Sequence, residues 1–331
     1  MSVPPPSQIA ITGLGCVSAL GGDVTSTWEA LCAGRSARGP LTAIAVDGCR
    51  VTEGAEAILP PWPPGPEKRL RRLSRSTRLA LPAVRQALAS AGLLDANDRC
   101  LLPRLEMSVS TTACGMEKGE EFLHALWNKT RAGQASRVAQ YQSQAQAGAI
   151  HDTFGFDGPV MTVANACAGG GNAIGHGADL LRSGMADIVL AGGYEALSEL
   201  VFAGFDGLQS LAPDACRPFD RGRRGLMLGE GAAFLVLEKT GRARARGAKI
   251  LGYLAGYGHT TDTHHLTQPA PDGAPLERAM RRALEQGGME ASQIGYLNAH
   301  GTGTPFNDGA EAQAFHRLFG SGQTKLSSTK A

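Results

Sequence analysis

The chain has 331 residues, of which 43% are hydrophobic and only 5% aromatic, with 44 glycines and a formal net charge of +2. That length can bury a large core, and the near-neutral balance leaves no electrostatic footprint for nucleic acid. Seven cysteines, at 16, 32, 49, 100, 114, 167 and 216, form no CxxC pair, which excludes a disulfide framework and a zinc site and points to a reducing compartment.

With so few aromatics, packing must rely on Ala, Leu, Val and close backbone approach, as in layered α/β folds. Met1 to Pro6 shows no basic region and no apolar run of signal length, and no segment reaches membrane-spanning length. These features predict a soluble, cytoplasmic protein with no membrane partner.

In chain order, residues 9–15 read as a buried strand entering a Gly turn, and 28–33 as a short helix capped by Ser26. A Pro-rich loop, 57–66, leads into a basic helical segment, 68–91, interrupted by Pro82. Residues 107–110 form a second strand, and 117–143 are polar and helical in part. Strands at 159–164 and 187–193 flank a helix over 172–182, an alternation that predicts parallel pairing. Further strands are expected at 232–237 and 249–257, with an Arg-rich linker helix, 239–248, between them. There the chain divides into an N-terminal half, 1–245, and a C-terminal half, 246–331. An amphipathic helix, 275–286, starts with Pro, and 294–298 is a strand.

Chemistry concentrates at two places. In Val163-Ala164-Asn165-Ala166-Cys167-Ala168-Gly169-Gly170-Gly171, a β-prone run turns into a helix at Cys167. A helix N-terminus favours thiolate and leaves amide donors for an oxyanion. Taken alone, a cysteine in such a place is more often a small core residue. The second place is Asn298-Ala299-His300-Gly301-Thr302-Gly303-Thr304-Pro305, directly after a strand. Alternating Gly and Thr make poor helix, so His300 belongs to a loop at a strand's C-terminal end, where α/β folds place ligands. Asp308 and Glu311 follow at helical spacing, near enough to orient the histidine.

The segments NACAGG (165–170), DACRPFDRGRRGLMLGEGAA (214–233), NAHGTGTPFND (298–308) and LSSTK (326–330) resemble, in order and across essentially the whole chain, the elongating β-ketoacyl-[acyl carrier protein] synthases of the thiolase superfamily. The resemblance implies an α/β thiolase-like fold, a five-layered αβαβα sandwich of two similar halves, usually dimeric. It implies decarboxylative Claisen condensation on carrier-bound chains, in fatty acid or polyketide synthesis, without metal or dissociable cofactor. Cys167 matches the acylated nucleophile and His300 the first of two histidines that support loss of CO₂. Lys330 matches the lysine of the SSTK motif, and Glu311 an acidic residue of the supporting network. Thr302 and Thr304 match hydroxyls that bind pantetheine amides, and Thr267, with Asp262 and His265, a pocket wall. The basic face of Lys68, Arg69, Arg71 and Arg72, with Arg75 and Arg78, is either a solvated surface or the docking patch for an acidic carrier protein. Cys216 reads as structural. His259, His264 and His265 form no convincing metal tract.

One departure sets an expectation of its own. The family's second histidine lies a few residues beyond the lysine, in a Gly-His motif, and a Gly/Phe loop follows further on; here the given sequence ends at Ala331. It therefore reads as truncated in its second half, with decarboxylation expected to be weak. The rival reading is a non-catalytic chain-length-factor-like subunit of a ketosynthase heterodimer, against a catalytic homodimer. Such subunits typically replace the nucleophile, whereas Cys167 is retained.

Overall fold

The computed structural model describes residues 8–62, 72–130, 135–320 and 324–330, which group into two compact units, neither continuous in sequence. The first comprises residues up to Ala37, Ala55–Val201 and Gly229–Leu254; the second comprises Arg38–Gly54, Phe202–Leu228 and Ala255 onward.

The first unit is built on a six-stranded mixed sheet. Its strands are β1 (Ile9–Ser18), β2 (Glu106–Ser110), β3 (Val160–Val163), β4 (Ile188–Glu195), β5 (Gly231–Lys239) and β6 (Gly252–Leu254), in spatial order β3-β2-β4-β5-β1-β6. β2 runs parallel to both β3 and β4, while β5 is antiparallel to β4 and β1. The strands flanking the cysteine helix are thus parallel, as the alternation predicts, but β2 lies between them.

Helices α1 (Val24–Cys32), α2 (Arg75–Ser90), α3 (Met116–Trp127), α4 (Ser143–Phe154) and α5 (Gly169–Arg182) complete this unit, with a short α6 (Thr240–Ala245). The cap of α1 is Asp23, not Ser26: the Asp23 carboxylate accepts the Ser26 N–H at 2.7 Å and the Ser26 hydroxyl answers from the third position, a reciprocal box. α2 is capped by Ser74, whose hydroxyl accepts the Thr77 N–H, and its last turn is followed by Ala91 and then Gly92, at φ +67°. It runs through Pro82 instead of stopping there. An internal proline costs about 3 kcal/mol, but Leu79, Leu81, Val84 and Leu88 are all fully buried beside it. Each contributes roughly 1.5–3 kcal/mol, so burial outweighs the lost hydrogen bond.

The sheet carries a helix layer on each face. One core joins α2 and α4 to the sheet through Leu79, Val84, Leu88, Ile150 and Phe154, which pack with Val109, Leu190 and Phe234. The other joins α5 through Ala178 and Leu181 to Ile9, Val189 and Leu237. Glycines set the spacing. A Cβ on Gly13 would lie 2.2 Å from the Ala87 carbonyl oxygen, and one on Gly15 only 1.8 Å from that of Ala83. β6 is shorter than the 249–257 pattern predicts, because it pairs Leu254 with Ile9, where β1 begins.

The second unit contains α7 (Ala274–Gly287), α8 (Pro305–Phe319) and a parallel pair, β7 (Tyr296–Asn298) with β8 (Lys325–Ser327). Gly39–Pro40 pairs with Glu53–Gly54 in a short ribbon. The Gly-x-Gly approach recurs here. A Cβ on Gly256 would meet the Ala283 carbonyl at 2.0 Å, and one on Gly258 that of Ala279 at 2.1 Å. In both units the first glycine of the pair meets the later alanine of the helix, a repeat that fits two related halves. The fold class is the α/β, thiolase-like one expected.

Candidate active site

In the first unit, β3 ends at Val163 and a 3-10 turn, Ala166–Ala168, leads into α5. Cys167 lies in that turn and is exposed. Alanine occupies the N-cap position of α5 and has no side-chain acceptor for the first-turn amides. The Gly169 N–H is taken up by the Ala166 carbonyl, and the positive end of the helix faces the turn that carries Cys167. Gly169 allows the turn to press onto the end of β2, since a Cβ there would come within 2.0 Å of the Ser110 hydroxyl.

Ala166, immediately before the cysteine, has φ +53°. Alanine enters this left-handed region at a cost of roughly 1–2 kcal/mol, so the surroundings must hold it there. The loop after β2 does so. The Ala166 N–H donates to the Thr112 hydroxyl at 3.1 Å. The Thr112 and Ala113 N–H groups donate to the carboxylate of Glu195, at the end of β4. Burial raises the pKa of Glu195, an effect those amide bonds partly offset.

In the second unit, His300 follows β7 in a loop shaped by Gly301 and Gly303, at φ +43° and +74°. Side chains would not fit at either. A Cβ on Gly301 would meet Ser328 at 2.5 Å, and one on Gly303 the Gly225 carbonyl at 2.7 Å. Glu311, 3% exposed on α8, accepts the N–H groups of His300 at 2.8 Å and Gly301 at 2.7 Å, and the Asn307 amide at 2.9 Å. It thus orients His300 through the main chain and not through the ring.

Asp308, also foreseen as orienting the histidine, instead accepts from the Phe219 and Gly303 N–H groups. Lys330 donates to the His300 carbonyl and places Nζ 3.0 Å from Nδ1 of its ring. An ammonium only donates, so Nδ1 is the acceptor and the neutral ring carries its proton on Nε2. Burial first, and the Lys330 charge second, push the His300 pKa down. The site therefore holds a neutral imidazole with an N–H to offer.

The structure brings His300, Lys330 and Glu311 together, and the Thr302 and Thr304 hydroxyls lie 2.9 Å apart in the same loop. Thr267 lies on an exposed stretch, where its N–H donates to Nδ1 of His265. Cys216 is buried and donates to the Thr302 carbonyl at 3.3 Å, as a structural thiol should. Of the basic patch, Arg72 is exposed, whereas Lys68, Arg69 and Arg71 lie outside the described residues. Arg75 does not belong with it: its guanidinium binds the buried Glu230, which also accepts the Ala57 and Leu197 N–H groups. Thr112 and Glu195 lie in no segment that the sequence singles out, and Asn307, although within NAHGTGTPFND, carries no sign there that it binds Glu311.

The chain belongs to the β-ketoacyl synthase family. The family's N-terminal domain matches residues 7–243 and its C-terminal domain residues 251–331. Among characterised relatives, it is 38% identical to nodulation protein E of Rhizobium sp. (strain N33) over 98% of this chain and 81% of that protein. It is 35% identical to 3-oxoacyl-[acyl-carrier-protein] synthase 2 of Staphylococcus aureus (strain N315), over 98% of this chain and 80% of the relative. The structure of the ishigamide ketosynthase/chain length factor aligns with a TM-score of 0.87 at 32% identity, over 98% of this chain and 80% of the other.

Proposed function

We propose that this chain is a β-ketoacyl synthase that extends acyl chains held as thioesters on an acyl carrier protein. The observation that carries the reading is Cys167 itself: an exposed thiol on a strained turn at a helix N-terminus, in a member of this family. The thiolate attacks the acyl thioester, and the carrier's pantetheine thiol leaves. Malonyl thioester then loses CO₂, and the electron pair of the broken C–C bond remains as an enolate. The enolate attacks the acyl-Cys167 carbonyl, and collapse of the tetrahedral intermediate expels the Cys167 thiolate.

His300, neutral and protonated on Nε2, supplies a hydrogen bond to the enolate oxygen as CO₂ departs. Lys330 and Glu311 fix that histidine, and the Thr302 and Thr304 hydroxyls bind the pantetheine amides. Thr267 lines the same arm, and Arg72, with Lys68, Arg69 and Arg71, docks the acidic carrier. Among the described residues no helix is long and apolar enough to cross a membrane, and we place the protein in the cytoplasm. It acts as a dimer with its own copy or with a chain-length-factor subunit, the pairing named for its ishigamide relative. The retained Cys167 supports the condensing role within such a pair.

The test supplies acyl-carrier and malonyl-carrier and follows formation of β-ketoacyl-carrier. Product from the parent chain and none from Cys167→Ala is the expected result. Equal product from both would refute the nucleophile.

A further inference from the structure

The conformation of the nucleophile turn is imposed from outside it, by residues that no motif marks. Ala166 gains nothing from a left-handed backbone of its own accord, and a return to an ordinary φ would rotate the peptide that carries Cys167. One side chain grips that residue: the Thr112 hydroxyl, 3.1 Å from the Ala166 nitrogen. Thr112 is in turn fixed by the half-buried Glu195 at the end of β4. Its own N–H and that of Ala113 donate to opposite oxygens of the Glu195 carboxylate. The loop is closed by Cys114, itself at φ +55°, whose N–H donates to the Thr111 hydroxyl at 3.0 Å. Two left-handed non-glycine residues, Ala166 and Cys114, are thus held by the hydroxyls of two adjacent threonines, Thr112 and Thr111.

We propose that Thr112, held by Glu195, is a positioning residue that keeps Ala166 in its strained conformation and so presents the Cys167 sulfur to the acyl thioester. Thr112 touches no reacting atom. Its contribution passes through the Ala166 amide. The inference rests on the reading of Cys167 as the acylated nucleophile and adds what sets its geometry.

A double-mutant cycle tests it, with two readouts at Cys167: alkylation by iodoacetamide, and acyl transfer from an acyl-pantetheine thioester, both located by peptide mass spectrometry. Thr112→Val should slow both about tenfold, the worth of one lost hydrogen bond. Thr112→Ser, which keeps the acceptor, should recover most of the rate. Ala166→Gly removes the need for a clamp, so in that background Thr112→Val should cost about threefold or less. A Thr112→Val chain with undiminished rates, or the same penalty in both backgrounds, would overturn the proposal. Should Thr112→Val fail to fold, Thr112→Ala reads the same coupling. If the parent chain is alkylated at Cys167 but accepts no acyl group, the proposed function fails, while the alkylation series still decides the role of Thr112.

Discussion

Nζ of Lys330 lies 3.0 Å from Nδ1 of His300 and donates to it, which fixes the ring as the tautomer protonated on Nε2. The same ammonium disfavours a second proton on the ring and adds to the effect of burial in lowering the His300 pKa. The acid limb of malonyl decarboxylation should therefore lie below the ordinary imidazole value of about 6.5. In Lys330→Met the repulsion is gone, the pKa rises, and activity should begin to fall at higher pH during acidification. A pH–rate profile that does not move in the variant would contradict this link.

Glu311 satisfies two main-chain N–H groups and one side-chain amide from a nearly closed position. Removing it in Glu311→Ala leaves donors stranded, at roughly 1–3 kcal/mol each. The variant should unfold at lower temperature and lose most of its condensing activity. Glu311→Gln keeps the acceptor oxygen on one side only and should fall between. Thermal melts alongside turnover measurements check both effects.

The carrier patch is tested by charge reversal at Arg69 and Arg72. KM for the carrier-bound substrate should rise, with little change for a small acyl thioester, because only the protein carrier uses the surface. Equal damage to both substrates would assign those side chains to the fold.

Gly15 separates packing from chemistry. The Ala83 carbonyl would be 1.8 Å from a new Cβ and is main chain, so it cannot turn aside. Gly15→Ala should cost at least the 1–3 kcal/mol typical of overpacking. Gly184→Ala offers a control: it has a left-handed backbone, φ +78°, and open space around it. It should show a smaller penalty, arising from backbone strain alone. Denaturant midpoints distinguish the two.

What the amino-acid sequence revealed was chemistry carried by unusual neighbours. His300 is legible because the alternating Gly301 and Gly303 that follow it mark a tight loop in which a Cβ would clash, and Lys330 because it closes the SSTK segment of the family resemblance. The interruption at Pro82 was misjudged because local propensity says nothing of the buried leucines that sustain α2. The extent of β6 depended on where its partner β1 begins. The support for Cys167 was hidden for a different reason. Thr112, Ala166 and Glu195 lie far apart along the chain, and alanine gives no sign that it will adopt a positive φ. Asp308 and Glu311 share one helical spacing, yet only the fold shows that one holds the Gly303 turn and the other holds His300.

The central claim concerns one sulfur among several, and the direct measurement is the site of acylation. Incubated with an acyl-carrier and no malonyl donor, the chain should gain a single acyl group, mapped to Cys167 by peptide mass spectrometry and absent from Cys167→Ala. An acyl group found instead on another thiol, such as the exposed Cys32, or no adduct at all on a folded chain, would contradict the account.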